Sequence, residues 1–210
     1  MRPENKPDGQ RRSFIEEARR RQIIASTVEV ISEVGYGNAS LARIARHAGI
    51  SKGVISYHFD GKDELMSQVV IQLFVSGAEF MAPVIMAAEG PRAALHAYLA
   101  SNLRFIDANK SYVAACGDIV LNLRNPDGSL TFATVDGERE VIAPLIEMLA
   151  DGQRLGEFGE FDPTILARLI RDSIDGVAAR AVREPDFDVR HYITHLTRLY
   201  DAATTKGLGP

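Results

Sequence analysis

The sequence of 210 residues predicts an all-α protein of about nine helices. Apolar residues recur at three- and four-residue steps through most of the chain. No segment sustains the period-two alternation of a half-buried strand. The breaks between periodic segments carry Gly, Pro and Asn, the residues that end helices and make turns. With 46% apolar and 25% charged side chains, the composition is that of an ordinary globular protein, long enough to bury a core without staples.

Residues 1–12 (MRPENKPDGQRR) hold two Pro, a Gly and almost no apolar side chain, which predicts a disordered arm. From Ser13, the run Phe14, Ala18, Ile23, Ile24, Thr27, Val28, Ile31 and Val34 predicts an amphipathic helix of about 20 residues. Gly35 and Gly37 stop it, because glycine accepts a left-handed cap without steric cost. Short helices follow from Ser40 to Ala48 and from Ser51 to about Asp60-Gly61. A longer one starts near Lys62 and runs through Leu65, Val69 and Leu73 towards Met81, with Pro83 as its kink or end. Further helices are predicted over 91–107, 110–123, 134–152, 162–183 and 188–204. Gly90-Pro91, Asn109, Asn125-Pro126-Asp127-Gly128, the stretch 152–163 and Glu184-Pro185-Asp186 separate them. This divides the chain into an arm (1–12), a head (13–61), a helical body (62–204) and a tail (205–210).

Several function classes are disfavoured. The lone Cys116 allows neither a disulfide framework nor a thiolate metal cluster. No run of ~18 consecutive apolar residues predicts a membrane span, and no apolar stretch at the N-terminus predicts a secretory signal. A cytoplasmic protein without cofactor or metal is the expectation. His191 and His195 lie four apart on one helix face but lack a third ligand nearby. No phosphate-cradling Gly-rich loop, HExxH or nucleophile elbow supports a helical enzyme. The net charge of −4 is uneven: residues 1–62 carry eleven Lys/Arg against seven Asp/Glu, and the remainder is acidic. A basic head on an acidic body suits contact with a polyanion.

The informative segment is Ser40–Phe59, SLARIARHAGISKGVISYHF. Two helices too short to stand alone are joined across His47-Ala48-Gly49-Ile50. Crossing at ~90–120° needs a small residue at the contact, here Ala45. The tight turn needs positive φ at one residue, here Gly49. Ser51 caps the second helix and Ile55 anchors it. Ile44, Ala48, Ile50 and Phe59 complete an apolar set facing the first helix. This is the spacing of a DNA-binding helix-turn-helix, whose second helix enters the major groove.

The stretch SLARIARHAGISKGVISYHFDGKDEL resembles the N-terminal domain of the TetR family of transcriptional regulators. The matching positions are Ser40, Ile44, Ala45, Ala48, Gly49, Ser51, Lys52, Gly53, Tyr57, His58, Phe59, Lys62 and Leu65. The resemblance covers residues 13–70 and, beyond them, only the layout of a larger helical body. It implies a homodimer on a palindromic operator in double-stranded DNA, a repressor released by an unknown small-molecule effector. On that reading Lys52 meets a guanine edge or a phosphate, and Gly53 lets the backbone approach. Ser56 contacts a base edge only at close range. Tyr57, His58 and Lys62 are placed for phosphates, with a structural hydrogen bond as the other role for His58. Ser40, Ser51 and Arg43 offer further polar contacts, and Arg11, Arg12 and Arg46 add attraction. Arg19-Arg20-Arg21 reads as a solvated helix face. Two departures thin the base readout: Ser56 stands where relatives often carry an aromatic, and Ala42 where they can carry a base-reading side chain.

In the body, the stripes of the last two helices suit a four-helix interface between two chains or the closing of the monomer's own core. The interface candidates are Leu169, Ile170, Ile174, Val177, Ala181, Tyr192, Leu196 and Leu199. For an effector pocket, the resemblance points to the middle helices, where Phe74, Met81, Met86, Tyr98, Asn102, Phe105, Tyr112, Cys116 and Met148 mix aromatic, flexible and polar groups. The rival for the head is an architectural protein that binds DNA without a ligand. For Cys116, apolar neighbours favour an inert thiol over a redox sensor.

Overall fold

The computed structural model describes residues 8–132 and 135–205. Among them are nine helices: α1 (Asp8–Asn38), α2 (Leu41–His47), α3 (Lys52–His58), α4 (Lys62–Met86), α5 (Pro91–Ala108), α6 (Lys110–Asn122), α7 (Val135–Arg154), α8 (Pro163–Arg183) and α9 (Val189–Thr204). The all-α expectation is met, and three points differ from the sequence reading, two of them helix boundaries. First, α1 begins at Asp8, so residues 8–12 of the expected arm are helical. Residues 1–7 of that arm, and 206–210 of the tail, lie outside the described residues. Second, Pro83 does not end α4, which continues through it to Met86. Third, α4 is apolar enough by length and composition to cross a membrane, its best 18-residue window reaching a mean hydropathy of 1.8. The sequence reading missed this because scattered polar residues interrupt every consecutive apolar run.

Local chemistry accounts for the helix ends. Asp162 caps α8, its Oδ1 accepting from Thr164 N at 2.8 Å and Ile165 N at 3.1 Å, and Pro163 supplies a first residue with no N–H to satisfy. Asp188 caps α9 through His191 N at 3.1 Å. Within α1, Gly35 adopts φ 76° and breaks the helix before a last turn that ends at Asn38. The turn at 125–128 is closed by Gly128 N donating to Asn125 O at 2.9 Å, and a single antiparallel bridge joins Arg124 to Leu130.

Two apolar cores follow. The first gathers Ile23, Val28 and Ile31 of α1, Ile44 of α2, Ile55 of α3, Leu65, Met66, Val69 and Val70 of α4, and Ala115, Cys116 and Ile119 of α6. The second gathers Leu95, Leu99 and Leu103 of α5, Leu145 and Leu149 of α7, Ile170 and Ile174 of α8, and Tyr200 of α9. Helix α6 therefore packs under the head along α1, and α4 joins the head to α5. The end of α7 is tightly folded: Gly156 at φ 74° lets the chain reverse, and Phe158 N returns to Gly152 O at 3.0 Å. The Phe158 ring then lies directly on Gly152.

Candidate nucleic-acid interface

The head is built from caps, a turn and a plug. Ser40 caps α2 by accepting from Arg43 N at 3.3 Å, and Ser51 caps α3 by accepting from Val54 N at 3.4 Å. Between them Gly49 takes φ 66°, and Ile50 N closes the turn on Ala45 O at 3.0 Å. Ile44, Ala45, Ile55 and Phe59 are buried beneath. That fixes which face of α3 looks out. Lys52, Gly53, Ser56 and Tyr57 are exposed together along it, Tyr57 to 74%. Ser40, Ser51 and Arg43 are also exposed, though both serine hydroxyls already serve as caps. His58 is half-buried, with its ring edge-on to Tyr57.

Lys62 sits differently from the expectation of a backbone phosphate contact. Its Nζ donates to Tyr36 O at 3.0 Å and stands 4.5 Å above the Tyr36 ring. On the other side of the same residue, Tyr36 N donates to Asp118 Oδ2 of α6 at 2.7 Å. Burial and the nearby Asp63 and Asp118 carboxylates push the Tyr36 hydroxyl up from its ordinary value.

Arg20 was the residue the sequence reading passed over as solvated. Its guanidinium lies 4.3 Å above the Phe59 ring, donates to the His58 carbonyl at the end of α3, and pairs with Glu64 at 3.8 Å. A cation at a helix C-terminus meets the carbonyls that have no partner within the helix. Arg20 thus ties α3 to α1 and α4. No periodicity signals such a residue, because the partner carbonyl is brought near only by the fold. Arg20→Ala is expected to lower the stability of the head by about 1–2 kcal/mol in denaturant unfolding, given the net worth of hydrogen bonds to charged groups and the partial exposure here. Arg20→Lys should recover only part, since an ammonium lacks the planar fork.

The body residues divide. Phe74, Tyr98, Asn102, Phe105 and Cys116 lie around one region shared by α4, α5, α6 and α8, with Arg171 of α8 at its polar centre. Burial raises the Tyr98 hydroxyl above its usual range and pushes the Cys116 thiol up to about 12, so that thiol stays protonated and unreactive. Tyr112 lies close to Cys116, but its hydroxyl donates to Val69 O at 3.0 Å, and it also lines a groove of about 660 Å³ between α1, α4 and the α5–α6 turn. Met148 packs on the second core, and Met81 is half-buried farther along α4.

Four interface candidates need correction. Ile170, Ile174, Val177 and Ala181 are buried within the single chain, because α5 and α7 pack on that side of α8. Leu169 and Leu199 are exposed, Tyr192 and Leu196 half-buried. Ile165, also exposed, extends the outward face of α8. His191 and His195 stack at 4.3 Å between ring centres, and no cluster of three metal-ligating side chains occurs among the described residues.

Residues 23–69, which hold the head's plug and the start of α4, match the family described as "Bacterial regulatory proteins, tetR family". Over those residues the chain is similar to the TetR family. In sequence it is 37% identical over 94 residues to HTH-type transcriptional regulator BetI 1 of Chromohalobacter salexigens, a match covering 44% of this chain and 46% of that protein. The likeness therefore spans less than half the length of that curated relative. In structure it resembles the fatty acid degradation regulator FadR from Bacillus halodurans over 90% of this chain and 96% of that one, with TM-score 0.74 and 21% identity. It also resembles the ketosteroid transcriptional regulator KstR2 of Mycobacterium tuberculosis over 90% and 95%, with TM-score 0.67 and 18% identity. These two likenesses show a shared fold over the helical body as well as the head.

Proposed function

We propose that this protein is a sequence-specific DNA-binding transcriptional regulator rather than an enzyme: a cytoplasmic homodimer that represses from a palindromic operator and is released by a small-molecule effector. The observation that carries the reading is the outward face of α3. Lys52, Gly53, Ser56 and Tyr57 stand exposed on a helix whose other face is plugged by Ile55. A rigid scaffold presenting a short polar face is what major-groove entry requires. Lys52 reads a guanine edge or a phosphate, Tyr57 and His58 reach phosphates, and Ser40, Ser51 and Arg43 lie along the same approach. Lys62 acts through Tyr36 and holds α4 to α1. In this division residues 13–61 are the DNA head and 62–204 the effector and dimer domain.

Pairing through the exposed faces of α8 and α9, around Leu169, Tyr192, Leu196 and Leu199, brings two heads to half-sites ~34–36 Å or a multiple apart. The names of the structural neighbours, a fatty acid degradation regulator and a ketosteroid regulator, favour an apolar effector, and the region of Phe74, Tyr98, Asn102, Phe105 and Cys116 is where it binds.

The test begins by selecting bound fragments from genomic DNA and measuring their affinity across salt concentrations. A specific regulator keeps a large affinity ratio for its selected site over random sequence, whereas equal, salt-limited binding to all sequences overturns the reading. On the selected site, Lys52→Ala is expected to weaken binding by about 1–3 kcal/mol in fluorescence anisotropy, and a drop confined to a few tenths would remove Lys52 from the base contacts.

A further inference from the structure

Four helices bring one charged, hydrogen-bonding group to a single place inside an otherwise apolar body. Arg171 of α8 keeps only 24% of its side chain exposed, and its guanidinium carbon lies 5.8 Å from the centre of the Phe74 ring on α4. The Tyr98 hydroxyl of α5 lies near Arg171 and Asn102, and Asn102 is itself buried. Cys116 of α6 lies within the field of Arg171 and of Asp175. A cation drawn this far from water needs an opposite charge beside it. Asp175, one turn along α8, provides it: Nε reaches Oδ2 at 3.1 Å and Nη2 reaches Oδ1 at 2.6 Å, the two-pronged geometry of guanidinium on carboxylate.

The two partners are unequally placed. Asp175 is 55% exposed, so it can turn into water with its charge still hydrated. Arg171 is hemmed by Phe74, Tyr98 and Asp175. The guanidinium fork is thus a carboxylate seat with a default occupant that leaves easily. Beside the seat stand uncovered aromatic walls. Phe74 is 42% exposed and Phe80 47%, and Phe80 stacks at 5.7 Å on Phe105, whose ring lies against Gly77. Open aromatic surface next to a partly desolvated cation fits a molecule with an apolar body and one acidic head.

We infer that the effector is an amphipathic monocarboxylate, its carboxylate displacing Asp175 from Arg171 and accepting a hydrogen bond from Tyr98, its tail lying against Phe74 and Phe80. This rests on the effector-released regulator described above and adds the chemical class of the head group. A neutral amphiphile would leave the fork to Asp175, and a cationic one would be repelled by Arg171.

The experiment uses three twelve-carbon probes below their micelle concentrations: dodecanoate, dodecanol and dodecyltrimethylammonium. Binding to the full-length protein is followed by calorimetry and by tyrosine emission, which is clean because the chain has no Trp. Dodecanoate is expected to bind at least tenfold more tightly than the other two. Arg171→Gln should erase that preference while leaving dodecanol affinity within about twofold. Asp175→Asn should raise dodecanoate affinity several-fold, an effect opposite to that of merely loosening the fold. Equal affinity for all three probes, preference for the ammonium, absence of any binding, or unchanged selectivity in Arg171→Gln each overturns the inference. Should Arg171→Gln fail to fold, the wild-type selectivity and Asp175→Asn decide it. Selective dodecanoate binding without release of the selected DNA supports the carboxylate seat and overturns the release reading, so the two fail separately.

Discussion

Ile55→Ala is expected to destabilise the protein by about 2–5 kcal/mol, the cost of deleting buried methylenes and leaving a cavity behind. Ile55 is fully buried and is the side chain through which the seven-residue α3 is held against Ile44, Ala45 and Phe59 of the first core. A helix this short has no stability of its own, so its order depends on that plug. Denaturant unfolding followed by circular dichroism should show the midpoint fall with an unchanged slope. Binding to the selected DNA should weaken well beyond what Lys52→Ala causes, because every contact on the outward face loses its platform. A loss below ~1 kcal/mol would mean that the apolar set around the turn does not hold α3.

Gly152→Ala should lower stability by about 1–3 kcal/mol, the typical cost of forcing extra volume into a packed core. A Cβ at Gly152 would lie 2.0 Å from a ring carbon of Phe158, far inside contact distance, and the ring is buried. The displaced ring cannot simply rotate away, since Phe158 N is hydrogen-bonded to Gly152 O and Arg92 stacks above the ring at 5.6 Å. The same unfolding experiment measures it. Phe158→Leu in the Gly152→Ala background should recover part of the loss, because relieving the clash is the point of the double substitution. Failure of that rescue would place the cost elsewhere.

Much of this fold was legible because it is written in local terms. Ser40, Ala45, Gly49, Ser51 and Ile55 declare the helix-turn-helix by spacing, and the structure realises each in the part its chemistry suggests: two caps, a crossing point, a positive-φ turn and a plug. The helix ends at Gly90-Pro91, Asp162-Pro163 and Asp188 were legible for the same reason. What could not be read was burial on one side of a helix against the other. The stripe Ile170, Ile174, Val177 and Ala181 has the same periodicity whether a partner chain or α5 and α7 covers it, and it is the single chain that does. Long-range polar partners were equally hidden. Arg20 on the His58 carbonyl and Lys62 on the Tyr36 carbonyl join residues 38 and 26 positions apart through backbone atoms, which carry no sequence signal. Arg171 and Asp175 form an i,i+4 pair on α8, and only the neighbouring Phe74 and Tyr98 distinguish them from an ordinary surface pair.

Tyr36 is held through both of its backbone polar groups. Its amide is moored to Asp118 on α6 and its carbonyl to Lys62 at the first residue of α4, two moorings on helices that belong mainly to the body. The residue just before it, Gly35, holds φ 76°, a value that only glycine adopts freely. Sliding α6 along its axis while α4 stays put must stretch one tether or the other. The Gly35–Tyr36 turn therefore fixes the end of α1, and with it α2 and α3, to both α4 and α6.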